Sequence, residues 1–325
     1  MNKLSDVTSA HWSLTTAPFT GERNIKVTNV YIWDMDETLI LLKSLLDGTY
    51  AQAFGGTKDS SKGIEIGKLW EKLILQVCDE HFFYEQIEDY NEPFLSFLSD
   101  YDDGKDLSGC DFTNDGLSFP YDDSNKRKLA HRHRAIANKY TKGLHNLLDQ
   151  NMIKQWEDLY KLTDDYTDGW LSSGHALLEQ TSGKEKTSSQ PVTTESTHGN
   201  TGMKCQDINV LVTSGSLIPS LVKCMLFRLD DQIIHENVYS SWEVGKLQCF
   251  SWIRSRLGGE SVRFCVIGDG VEECEAAERM CWPFIKIDFV PNAPLRLPGL
   301  TPRLIQHYLE VIYGPSYTDS DPEGQ

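Results

Sequence analysis

The stretch Ile25-Lys26-Val27-Thr28-Asn29-Val30-Tyr31-Ile32-Trp33-Asp34-Met35-Asp36-Glu37-Thr38 decides the fold. Residues 25–33 are rich in β-branched and aromatic side chains and end abruptly on an acidic cluster, which predicts a strand that delivers two carboxylates at its carboxyl end. The next segment of equal quality, residues 208–213, is far downstream. From there the pattern alternates quickly. Helix-like 217–228, a strand near 233–239, helix-like 246–257, strand 262–267, helix-like 271–280, strand 284–289 and a last helix over 301–313 follow one another.

Strands alternating with helices imply an α/β fold, a doubly wound, Rossmann-like parallel sheet with helices on both faces. Such sheets bind ligands at the carboxyl ends of their strands. Asp34, Thr213 and Asp269 each follow a predicted strand, so all three are expected to meet there. The intervening chain differs in kind. Ile66, Leu69, Trp70, Leu73, Ile74 and Val77 make an amphipathic stripe, with weaker helical patterns over 127–148 and 156–178. This predicts a mostly helical cap inserted into the sheet domain, its aromatic residues used for packing.

The expected organisation is a flexible extension at 1–22, a catalytic core made of 23–42 and 206–315, a helical cap at 43–180, a linker at 181–205 and a disordered tail at 316–325. The linker follows from composition, because residues 181–201 hold ten Ser or Thr and almost no large apolar side chain. Residues 100–123 hold eight aspartates. Asp111, Thr113, Asp115, Gly116 and Asp122 imitate a calcium loop, but no Glu closes the pattern and Pro120 intrudes, so a solvated acidic loop is the reading.

Composition bounds the function. There are 48 Asp plus Glu against 31 Lys plus Arg, and the net charge of −17 repels a phosphate backbone, which argues against direct nucleic-acid binding. No run approaches the roughly eighteen apolar residues of a membrane span. The eight cysteines include no C-x-x-C pair and read as reduced, buried thiols, so a cytoplasmic or nuclear location is expected.

An acidic protein acting on an anion needs local positive charge and a cation. Asp34 is placed to attack phosphorus, with Asp36 two residues on to protonate the leaving group and then deprotonate water. Asp34 would ligate the metal by its carboxylate and Asp36 by its main-chain carbonyl, with Asp269 as the second metal carboxylate. Thr213 with the N–H groups of Ser214 and Gly215 forms a turn suited to phosphate oxygens. Lys246 supplies fixed positive charge. In Gly268-Asp269-Gly270-Val271-Glu272-Glu273 the glycines would let backbone approach an ion, and Glu273 would reach metal-bound water. Oxygen donors favour Mg²⁺ over zinc.

With these elements in order, the chain resembles the haloacid dehalogenase-like superfamily and, within it, the Eyes absent family of protein tyrosine phosphatases in a plant-like form. The resemblance rests on the stretch 33–39 around the aspartates, Ser44-Leu45-Leu46-Asp47-Gly48-Thr49-Tyr50-Ala51, Asn209-Val210-Leu211-Val212-Thr213 with Leu217-Ile218-Pro219, Gly245-Lys246 and residues 266–273. It implies a nucleophile at Asp34, acid/base work at Asp36, phosphate contacts from Thr213 and Lys246, Mg²⁺ on Asp34, Asp36 and Asp269, and a phosphotyrosine-containing protein or peptide as substrate. Ser214-Gly215-Ser216 and Glu243-Val244 depart from the animal pattern, and the animal members' transactivating region has no counterpart in these residues. The rival readings are a small-molecule phosphomonoesterase of the same superfamily and a scaffold that docks a protein partner.

Overall fold

The computed structural model describes residues 27–112, 114–117, 121–182 and 207–314. The extension, most of the linker and the tail named above lie outside the described residues.

Five strands form one parallel sheet: β1 (Thr28–Trp33), β2 (Ile208–Thr213), β3 (Val238–Ser240), β4 (Val262–Gly268) and β5 (Phe284–Lys286), in the order β3-β2-β1-β4-β5. The expected α/β sheet is therefore present, with β1 at its centre. Trp33 is in register with Leu211 of β2 and Ile267 of β4, so the residues that follow these three strands come out side by side. Two strands are shorter than the pattern suggests. Residues 235–237 form a 3₁₀ turn before β3, because Asn237 turns inward and donates its side-chain amide to the Asn209 carbonyl at 2.9 Å. The strand β5 stops at Lys286, before a turn in which Asp288 accepts from the Val290 N–H.

Side chains alternate across the sheet, and each face has its own core. Val30, Ile32, Val210, Val212, Phe264 and Val266 pack with Phe250, Ile253 and Ala277 on one face. Tyr31, Trp33, Leu211, Cys265 and Ile267 pack on the other, in a core that continues without a break into the inserted helices.

In chain order the helices are α1 (Leu42–Leu46), α2 (Thr49–Ala53), α3 (Ser60–Phe82), α4 (Tyr84–Ile87), α5 (Asp123–Lys142), α6 (Gln150–Tyr166), α7 (Trp170–Thr181), α8 (Leu217–Leu226), α9 (Lys246–Leu257), α10 (Val271–Met280) and α11 (Pro302–Tyr313). The single helical pattern over 156–178 is in fact two helices. Thr167 ends α6, and Asp168 and Gly169 enter the left-handed region at φ 56° and 80°, which turns the chain back as α7. The Ile66, Trp70, Leu73, Ile74 and Val77 stripe is buried as expected, whereas Leu69 lies at its edge, exposed.

Buried tryptophans stitch the insertion to the sheet domain, each with its indole N–H satisfied. Trp70 donates to Thr163 Oγ1 at 2.7 Å within the insertion. Trp156 of α6 donates to the Leu226 carbonyl of α8 at 2.6 Å, and Trp170 of α7 donates to the Thr38 carbonyl at 3.1 Å. The second of these links reaches the loop that carries the aspartates. In the acidic loop the aspartates cap and pair: Asp122 accepts the Asn125 N–H to start α5, and Asp115 meets Lys128 at 2.6 Å.

Candidate active site

The chain turns sharply after β1. The Thr38, Leu39 and Ile40 N–H groups all converge on the Met35 carbonyl, and Glu37 takes a left-handed φ of 61° to close the loop. This places Asp34 at the floor and Asp36 toward the rim, with Glu37 turned inward where burial pushes its carboxyl up to about 7. The Asp34 N–H remains in the sheet, bonded to the Ile267 carbonyl at 2.9 Å.

Lys246, the first residue of α9, is 4% exposed and lies 2.6 Å from Asp34 Oδ1 and 2.8 Å from Glu273 Oε2. Thr38 Oγ1 donates toward Asp269 Oδ1 at 3.3 Å and toward Asp34 Oδ2 at 3.5 Å, so one hydroxyl spans the two carboxylates. Asp34, Asp269 and Glu273 each present a carboxylate oxygen within 4.8 Å of the others. Three acids against one lysine leave negative charge in excess. Burial drives the Asp34 carboxyl up to about 7 despite Lys246, and burial with the nearby Glu273 charge raises Asp269. Burial opposes ionisation of Glu273 too, but the Lys246 charge and hydrogen bond hold its carboxyl below the usual range. Lys246, although buried, is held protonated by Asp34 and Glu273. An all-oxygen, under-neutralised cluster fits a hard divalent cation.

The remaining predicted residues are placed as follows. Thr213 ends β2 fully buried, and its Oγ1 accepts the Gly215 N–H at 3.2 Å, so that N–H faces inward; Ser214 is exposed at the tip. Asp36 stands apart from the three-carboxylate cluster. Lys223 of α8 holds it with 2.8 and 3.1 Å hydrogen bonds to its two oxygens. Glu273 is nearer the centre than a group reaching for metal-bound water would be. Its Oε1 accepts the Gly270 N–H while its Oε2 meets Lys246. The glycines around Asp269 serve this fold-back: a Cβ at 268 would lie 2.6 Å from Glu273 Oε1, and one at 270 would lie 2.9 Å from it.

Sequence reasoning missed Lys223 and the bridging part of Thr38. The signal for Lys223 was a single cation in the otherwise apolar run Leu217-Ile218-Pro219-Ser220-Leu221-Val222-Lys223-Cys224-Met225-Leu226. An isolated charge there needs a partner.

A parallel sheet that gathers an aspartate pair, a lysine, a strand-end hydroxyl and a third carboxylate at adjacent strand ends defines a phosphohydrolase of the haloacid dehalogenase-like class. No protein-family model matches the chain. It is 56% identical over 295 residues to protein phosphatase EYA of Arabidopsis thaliana, covering 91% of this chain and 94% of that one. It is 33% identical over 278 residues to human protein phosphatase EYA2, covering 81% of this chain and 47% of that one. Against Drosophila melanogaster protein phosphatase eya it is 33% identical over 277 residues, 79% of this chain and 33% of that protein. The chain thus belongs to the Eyes absent family of protein phosphatases, and it spans half or less of the length of these animal relatives.

Proposed function

We propose that this protein hydrolyses phosphotyrosine in proteins or peptides, with Mg²⁺ as its cation, through an aspartyl-phosphate on Asp34. The observation that carries the reading is the buried Asp34 at the end of the central strand, 2.6 Å from Lys246 and beside Asp269 and Glu273. Lys246 holds Oδ1, which leaves Oδ2 to attack phosphorus as the bond to the tyrosyl oxygen breaks. Asp36, positioned by Lys223 and taking up a proton as the phosphorylated substrate binds, gives that proton to the leaving oxygen. It then takes a proton from the water that attacks the phospho-aspartate, which frees phosphate and restores Asp34. The Thr213 hydroxyl, with the turn 214–215, and Lys246 would stabilise the phosphate oxygens. Asp34, Asp269 and the Asp36 carbonyl would hold Mg²⁺, with Glu273 close by; when bound, the ion neutralises phosphate charge.

The rim supports this substrate class. Trp242, Glu243, Val244 and Val271 around the site are exposed rather than folded over it, which suits a protein surface better than an enclosed small molecule. A cytoplasmic or nuclear location is supported by the seven described cysteines, all free thiols. The test is phosphate release from phosphotyrosyl, phosphoseryl and sugar phosphates, with Mg²⁺ or EDTA, by wild type and Asp34→Asn. We expect turnover of the phosphotyrosyl substrate that EDTA removes and Mg²⁺ restores. Undiminished activity in Asp34→Asn rejects the nucleophile, and turnover of sugar phosphates alone rejects the protein substrate.

A further inference from the structure

Six of the seven described tryptophans are buried or half-buried. Trp242 is 68% exposed. It stands two residues beyond the end of β3, in the segment 241–246 that leads from β3 to Lys246. Both ends of that segment are fixed. Ser241 is buried, and its N–H and Oγ donate to the Thr213 carbonyl at 2.8 and 3.0 Å. At the other end the Gly245 N–H bonds the Ser241 carbonyl at 2.8 Å, and the Lys246 N–H bonds Glu272 Oε1 at 2.9 Å. The Trp242 N–H itself leans on Ser240 Oγ at 3.4 Å, and that hydroxyl is anchored on the Gly215 carbonyl at 2.8 Å. A short, pinned loop thus presents a large indole to water. Across the Lys246–Glu272 link, Val271 at the start of α10 is 70% exposed.

We infer that Trp242, with Val271 opposite, is the residue that selects an aromatic leaving group: its indole receives the ring of an aryl phosphomonoester once the phosphate is seated on Asp34. The inference rests on the phosphatase reading above and adds to it the residue that reads the organic part of the substrate. Several facts converge. Burying an indole removes 150–250 Å² of surface from water, so leaving one exposed on a fixed loop forgoes a large stabilisation that a ligand can recover. The loop carrying it follows β3, is pinned through Ser241 to the carbonyl of Thr213 beside the 213–215 turn, and ends on the lysine that holds the nucleophile. The Trp242 backbone stands beside that turn, through Ser240 Oγ on the Gly215 carbonyl, so a bulky substituent on a phosphate seated there meets what the segment 241–246 presents. A phenyl ring fills an apolar wall of this kind, whereas the methylene of phosphoserine ends before reaching it.

The test is steady-state kinetics of full-length wild type, Trp242→Ala and Trp242→Phe on one phosphotyrosyl peptide, with inorganic phosphate as a competitive inhibitor that has no ring. We expect Trp242→Ala to raise KM for the peptide about tenfold with kcat changed far less, Trp242→Phe to recover most of the loss, and the phosphate inhibition constant to move less than twofold. A KM for Trp242→Ala within twofold of wild type overturns the inference. So does an inhibition constant that rises in parallel with KM, which would mean that the loop rather than the ring matters. If wild type turns over no phosphotyrosyl peptide at all, the underlying reading fails and takes this one with it. Normal wild-type turnover with unchanged Trp242→Ala kinetics removes only the role of Trp242.

Discussion

The strand-end centre and the inserted helices both bury charge, and they do so by opposite means. At the centre, Lys246 is shared by Asp34 and Glu273, so buried charge is held by ion pairing. In the insertion, Arg132 is fully buried and, among the described residues, its guanidinium donates to neutral oxygens: the Lys128, Phe112 and Asp115 carbonyls and the Gln86 amide oxygen. Its neighbour His133 is buried against the Leu95 carbonyl at 3.2 Å, and burial pushes its pKa down to about 4 so that it stays neutral. Paired charge can respond to a ligand that adds charge of its own. Charge dispersed over carbonyls fixes a shape.

The comparison breaks hardest at Lys246. Replacing it by Met leaves Asp34 and Glu273 buried without their cation, and removing one partner of a buried pair costs about 3–5 kcal/mol. Lys246→Met should lose that stability in urea denaturation at neutral pH and also lose roughly 10²–10³ in kcat, the usual loss of one preorganised electrostatic contact. Because the lysine offsets only part of the negative charge, saturating divalent cation should restore part of the stability and little of the turnover. Full recovery of turnover would show that Lys246 only neutralises.

Arg132→Met comes next. It strands the Phe112 and Asp115 carbonyls, at about 1–3 kcal/mol for groups left unsatisfied. Activity at saturating substrate should be unaffected, since the residue lies among the inserted helices, while proteolysis within 102–117 should accelerate. A loss of kcat matching the loss of stability would show that the two regions are coupled more tightly than their separate charge arrangements suggest.

Much of both regions is legible in the sequence, and what is hidden has a common physical cause. Strand β1 and the D-x-D pair, β2, α9 and α10 are set by local pattern: β-branched runs, apolar periodicity and glycines beside a carboxylate. Lys246 and Asp269 could be placed because each lies at a strand or helix end, where topology makes residues converge. The hidden features are contacts between residues distant in the chain. Lys223 reaches Asp36 from α8, and Trp170 reaches the Thr38 carbonyl from α7. The α6–α7 break was masked because Trp156, Tyr160 and Thr163 of one helix and Leu171 and Leu178 of the other are all apolar or buried, and periodicity does not register the left-handed pair Asp168–Gly169 between them. The use of Gly268 is of the same kind: its spacing suggests access for an ion, while the structure shows room for Glu273.

Lys223→Met sharpens the contrast within the centre itself. The Lys223–Asp36 pair is only partly buried, at 14% and 31% exposure of the two side chains, against 4% and 8% for Lys246–Asp34. A pair that water screens contributes about 0–1 kcal/mol to stability. The expected result is a melting curve close to wild type, with kcat lowered about tenfold as proton transfer by Asp36 loses its positioning cation. A large loss of stability would instead place this pair in the same class as the buried one.

The smallest effect belongs to His133, where the insertion's way of burying charge becomes measurable as a pH dependence. An unfolded histidine titrates near 6.5, whereas the folded one is depressed to about 4. Between those values the unfolded chain binds the proton that the folded chain refuses, so stability rises with pH across that window and falls as the solution is acidified. From pH 7 to 5.5 the loss amounts to about 1 kcal/mol for one such group. His133→Asn keeps a side-chain N–H for the Leu95 carbonyl but cannot take up a proton. Its urea midpoint should therefore fall less than that of wild type over the same interval. Parallel acid limbs in the two proteins would assign the slope to carboxylates that the fold holds below their usual range, as Lys246 holds Glu273, since Asp34 and Asp269, raised by burial, resist acid rather than yield to it.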